Sequence, residues 1–167
     1  IGAGTNSRTD IATIKYNSAG EQLWVATYDG TAHKNDSPIA IAVDVLENII
    51  VTGTAQMPGS RFNDFVTLKY SNDGNEEWVS LFNGSTDSSD FASALALDNF
   101  GNVYVTGTTW SDSADFNFAS VKYNPSGMEQ WRAEFDGDSS YFDRAVGIAV
   151  ANNTIYVTGT TYGRTGS

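Results

Sequence analysis

A chain of 167 residues that is 40% hydrophobic and 13% aromatic has the length and apolar content for a sizeable core. Nine Lys plus Arg against 20 Asp plus Glu leave a net charge of −11, which repels phosphate backbones and anionic lipid and argues against nucleic-acid and membrane-surface partners. The absence of cysteine excludes disulfides and thiolate metal sites, and no apolar run is long enough to cross a bilayer as a helix.

In chain order, the first predicted elements are two strands, residues 11–16 and the segment carrying Trp24 and Tyr28, joined by the turn Asn17-Ser18-Ala19-Gly20. In the order of a four-stranded unit these are strands C and D. Strand A follows at 39–43 and strand B at 49–52, ending in Val51-Thr52-Gly53-Thr54. The same order then recurs. Strand C at 65–70, a turn at 71–74 and a D strand with Trp78 and Phe82 lead to A at 93–97 and B at 103–106, the last two linked by Gly101-Asn102. Strand C at 118–123, the turn Asn124-Pro125-Ser126-Gly127, D with Trp131 and Phe135, A at 146–150 and B at 155–158 complete the chain. In each D strand the two rings are four residues apart, which places both on one face. Strand A is apolar at successive positions, with small Ala40 and Ala42 alternating with Ile41 and Val43. That pattern predicts an innermost strand buried on both faces.

Registered identities fix a period of about 53 residues. Lys15, Lys69 and Lys122 recur with it, as do Trp24, Trp78 and Trp131, Gly20, Gly74 and Gly127, and Asp36, Asp90 and Asp143. The predicted class is all-β, with three antiparallel four-stranded repeats of the kind that build β-propeller blades. A sheet apolar on both faces needs a neighbour on each side, and radial stacking supplies it. A β-sandwich would hold similar strands but gives no reason for the period.

Two sets of residues carry a family resemblance. Lys15-Tyr16-Asn17 followed by Gly20 and Trp24, and Asp98 followed by Gly101-Asn102-Val103-Tyr104-Val105-Thr106-Gly107, resemble the seven-bladed β-propeller (SBBP) repeat family of bacterial, mostly exported proteins. The resemblance implies a multi-blade architecture and a secreted or cell-surface location, and it brings no catalytic residue. The copies depart from one another at Glu47-Asn48, where copy two has Gly101-Asn102, and at Ala151, where the others have Asp44 and Asp98. These departures argue against a strictly repeated metal site at that corner.

The repeat boundaries divide the chain into C-D at 1–36, complete units at 37–90 and 91–143, and A-B at 144–167. Three units are fewer than the roughly four to eight blades of propellers. The first residue is Ile1 rather than Met, which reads as a processed product or an excerpt of a longer polypeptide. The alternative to an excerpt is homo-assembly, in which the terminal A-B of one copy completes the C-D of another in a ring or a filament.

The D-A loops (29–36, 83–90, 136–143) and B-C loops (56–64, 109–117) share one predicted rim, where a site would sit. His33 is the sole histidine, and its neighbours Lys34 and Asp36 make no catalytic triad, so it reads as a solvated loop residue. Asp136, Asp138 and Asp143 space their carboxylates somewhat like a calcium loop, with solvated turn acids as the bland alternative. Trp110 and Tyr162 occupy equivalent loop positions and, with Tyr141 and His33, are the candidates for stacking on carbohydrate or packing on another subunit. The repeated Lys, Trp and Asp residues read as structural, with the tryptophans in the core. The expected function is a non-catalytic extracellular scaffold that self-assembles. A carbohydrate- or calcium-binding module is the alternative, and a glycoside hydrolase or lyase is the weakest reading. No catalytic residue and no cofactor other than calcium is expected.

Overall fold

A computed structural model of the chain describes residues 8–111, 115–137 and 142–162. Among them all regular structure is β, in four antiparallel sheets that follow one another along the sequence. Strands β1 (Ile11–Tyr16) and β2 (Gln22–Tyr28) form the first, two-stranded sheet. The second sheet is a meander of β3 (Asp36–Val43), β4 (Ile49–Gln56), β5 (Asn63–Tyr70) and β6 (Glu76–Phe82). The third repeats it with β7 (Phe91–Leu97), β8 (Val103–Trp110), β9 (Phe116–Tyr123) and β10 (Glu129–Phe135). The last pairs only β11 (Arg144–Ala151) with β12 (Thr154–Thr160).

The repeated sequence elements have local physical causes. In the Val-Thr-Gly-Thr run, a Cβ on Gly107 would lie 2.1 Å from the Phe91 carbonyl oxygen and 2.6 Å from the Phe65 ring of the preceding sheet. The facing strand is bulged there, between Ala92 and Ala94, and only glycine lets bulge and ring approach together. The turn from strand A to strand B is made in two ways. Asp44 and Asp98 each accept from the main chain two and four residues on, with Glu47 and Gly101 at positive φ. Where Ala151 replaces that aspartate, Asn152 and Asn153 both take positive φ, the geometry of a two-residue hairpin turn.

The core lies between sheets rather than within any one. Side chains alternate along β4, so Val51 faces the first sheet in a cluster with Ile11, Val66, Leu68 and Tyr70, while Ile50 faces the third. Ile50, Phe65 and Phe82 pack there on Val103, Val105 and Val121. Each such side chain contributes about 1.5–3 kcal/mol on burial, so neighbouring sheets hold each other.

Strand A departs from its expected burial on both faces. Ile39, Ile41 and Val43 of β3 are 50%, 62% and 60% exposed, and Val146 of β11 is exposed as well. Strand A is an edge strand in its sheet; β3 lies between the two-stranded first sheet and β7, and β11 belongs to the two-stranded last sheet. Burial on both faces falls instead on the B and C strands of the complete sheets, β4, β5, β8 and β9. The three repeated tryptophans also sit differently from expectation: they are half-buried, Trp24 and Trp78 at the seams between sheets and Trp131 against Tyr104 of its own sheet.

Candidate functional site

Each seam between consecutive sheets is latched by an aspartate at the start of strand A. The backbone amides of Asp36, Asp90 and Asp143 donate at 2.7 Å to the carbonyls of Thr9, just before β1, and of Asn63 and Phe116, which begin β5 and β9. Their carboxylates accept from the Gly30, Gly84 and Gly137 amides at 2.7, 2.6 and 2.6 Å. All three are fully buried.

The second oxygen of the carboxylate is treated differently at each seam. Asp90 Oδ1 accepts from Thr109 Oγ1 at 2.7 Å and from the Trp110 amide at 3.2 Å. Asp143 Oδ1 accepts from the Tyr162 amide at 3.3 Å. In the first copy Ala55 stands in place of Thr109, and Asp36 Oδ1 is buried without a hydrogen bond of normal geometry. Burial pushes the Asp36 carboxyl up. The Gly30 amide opposes that rise, the charges of Asp10 and Asp29 add to it, and the Gln56 amide opposes it weakly.

A second acid accompanies the latch. Asp64 is buried beside Asp90, and its carboxyl is pushed up to about 7, first by burial and then by the charges of Asp90 and Asp87. The third copy has Asn117 at that position, equally buried. In the first copy the position is Asp10, which with Asp29 and Asp36 places three carboxylate oxygens within 4.8 Å of one another.

A different contact holds the outer part of the first two seams. Trp24 Nε1 donates to the Asn72 carbonyl at 2.9 Å, and Trp78 Nε1 donates to the Pro125 carbonyl at 3.0 Å. Lys15 donates to Asn72, and Lys69 to Pro125. Lys69 is also buried in an ion pair with Glu77 at 3.2 Å and lies 3.6 Å from Asp44. Lys122 lies over the Tyr104 ring, and Trp131 packs on the same ring.

The ligand-binding candidates do not converge. His33 is exposed and its Nδ1 pairs with Asp29 at 2.7 Å. Trp110 packs edge-on against Phe116 at 4.7 Å, and Phe116 is also in ring contact with Phe142 and Phe91. Tyr162 lies exposed at another seam. Tyr141 and Asp138 lie outside the described residues, so of the expected calcium loop only exposed Asp136 and the buried latch Asp143 can be placed. A cavity of ≈ 290 Å³ opens where strands A of three sheets begin, lined by Ile39, Phe91, Ser93 and Arg144 among others. Sequence reading missed Asp10 and Asp29. The available signal was Ala55 at a position that is Thr109 and Thr161 in the other copies.

The two-stranded sheets expose what the complete sheets bury. Ile14 and Tyr16 of β1 are 43% and 56% exposed, whereas their equivalents Leu68, Val121, Tyr70 and Tyr123 are at most 1% exposed. On β12, Tyr156 is 60% exposed against 2% for Tyr104. A cavity of ≈ 420 Å³ runs beside β1, between Ile14, Tyr16 and Trp24 on one side and Ile41 and Val43 on the other.

Among known proteins, residues 77–113 match the family model of the SBBP β-propeller repeat. They span most of β6 and all of β7 and β8. No curated protein matches the chain. The matched stretch and the run of stacked antiparallel sheets make this an all-β chain that carries a propeller-type repeat over those residues.

Proposed function

We propose that this chain is a non-catalytic structural protein, acting at the cell surface or outside the cell, that assembles by joining half-sheets. The A-B hairpin β11–β12 of one copy completes the C-D hairpin β1–β2 of the next. The exterior location rests on the resemblance of the repeats to those of exported proteins. The carrying observation is the complementary exposure just described: β1 and β12 expose the positions that adjoining B and C strands bury in the second and third sheets.

The complete sheets supply the register of the joint. β4 pairs with β5 through Ile49 with Tyr70, Val51 with Leu68 and Thr52 with Thr67, and β8 pairs with β9 through the equivalent residues. Carried to the half-sheets, Ile155 faces Tyr16, Val157 faces Ile14 and Thr158 faces Thr13. The outer seam has a matching half-contact. Gly74 and Gly127 lie against Trp24 and Trp78, whereas Gly20 has no atom within 4 Å of where its Cβ would be. In the assembly the Gly20 turn covers Trp131, and the Ser18 carbonyl accepts from its indole. Within a longer polypeptide, a neighbouring repeat would serve through the same register.

Sedimentation velocity over a dilution series, with electron microscopy of the concentrated sample, tests this reading. Species heavier than 18.0 kDa that dissociate on dilution are expected. A folded 18.0 kDa monomer at the highest attainable concentration overturns it.

A further inference from the structure

We propose that Asp10, Asp29 and Asp36 form a binding site for a calcium-type divalent cation at the seam between the first and second sheets. The cluster joins three chain segments: the lead into β1, the loop after β2 and the start of β3. One carboxylate oxygen from each lies within 4.8 Å of the others, close enough for one cation to meet all three.

Proximity of acids alone would not carry the inference; the state of Asp36 does. It is 1% exposed, and its Oδ1 makes no hydrogen bond of normal geometry, the Gln56 amide being only a weak donor to the carboxylate, although a buried carboxylate oxygen is costly to leave unsatisfied. The other copies show what that oxygen needs. Thr109 gives a hydroxyl to Asp90 at the equivalent position, and Ala55 has none to give. The missing donor coincides with the gathering of the two further carboxylates.

Positive charge is scarce at the cluster. Among the described residues no Lys or Arg forms an ion pair with Asp10, Asp29 or Asp36, and the ion-pair partner there is exposed His33, on Asp29 Oδ2. The three seams thus handle the second acid in three ways. At the second, burial pushes the Asp64 carboxyl up to about 7 and so favours its neutral form, and at the third Asn117 carries no charge. At the first, a cation balances the carboxylates. A hard ion with several oxygen ligands and tolerant geometry suits two exposed acids and one buried one, with water completing the shell.

Natural substitutions within the repeat supply variants that preserve the fold. Asp10→Asn reproduces Asn117, and Asp29→Asn reproduces Asn83. Calcium titration of the chain by calorimetry is the primary measurement. Terbium luminescence sensitised by Tyr28, whose hydroxyl lies beside Gly30 and the Asp36 carboxylate, is the second. Saturable binding of one ion per chain is expected, weakened roughly tenfold or more by either substitution. Asp73→Asn, at an exposed acid in the turn between β5 and β6, leaves that binding unchanged. Absence of saturable calcium binding overturns the proposal, and so does binding that survives both Asn variants.

Discussion

Gly74 stands face-on to Trp24: a Cβ on this glycine would lie 2.7 Å from Cδ2 of the indole, whose Nε1 donates to the carbonyl of Asn72 in the same turn. Gly127 repeats the relationship against Trp78 at 2.6 Å. The glycine therefore serves both the turn, through its positive φ, and the seam, through its missing side chain.

Comparing the three turn glycines separates these two roles. Gly20, Gly74 and Gly127 have φ of 82°, 83° and 81°, so alanine meets the same backbone strain at each. Only at Gly74 and Gly127 does it also strike a ring. At dilutions where the chain is monomeric, Gly74→Ala and Gly127→Ala should each cost about 1–3 kcal/mol more than Gly20→Ala, read from urea unfolding midpoints. Equal costs at the three positions would show that the seam yields freely.

Asp64 gives the protein a pH dependence of defined sign. In the unfolded chain its carboxyl ionises at the ordinary value near 4, and in the folded chain it holds its proton up to about 7. Below the lower value both states bind the proton and stability is unaffected. Between the two the unfolded state alone has released it, so this residue's contribution falls as pH rises and levels above about 7. Asp64→Asn should therefore be more stable than the parent at pH 8, by at most about 4 kcal/mol, and the gap should close toward pH 4. Urea unfolding across that range checks it; a gap independent of pH would mean that Asp64 is ionised in the folded protein.

Much of the architecture could be read from sequence because the signals are local and repeated. The Lys-Tyr pairs, the turn glycines and the Val-Thr-Gly-Thr runs each report a strand or turn made by adjacent residues, and the period aligns them. The B strands run further than expected, to Gln56 and Trp110, because their ends continue pairing with the next strand toward Asn63 and Phe116. The burial of strand A was misread because its apolar residues show what the strand would accept as a neighbour, whereas exposure depends on which sheets lie beside it. The Asp10, Asp29 and Asp36 cluster was illegible for a related reason. Its members come from two sheets and differ from copy to copy, so a search for repeated residues passes over them. Asp36 itself was found, since every seam needs its latch.

The joint between half-sheets is open to direct test because the chain has no cysteine of its own. Thr52 and Thr67 bring their hydroxyls within 3.3 Å across β4 and β5, and Thr106 and Ser120 come within 3.0 Å across β8 and β9. Thr158 and Thr13 are the corresponding residues of two joined copies, at a spacing that a disulfide can bridge. Chains carrying Thr13→Cys, mixed with chains carrying Thr158→Cys and oxidised, should give cross-linked pairs in high yield. Thr13→Cys mixed with Val157→Cys, one residue out of register and on the opposite face, should not. Equal yields from the two mixtures, or no cross-link from the first, would contradict the account.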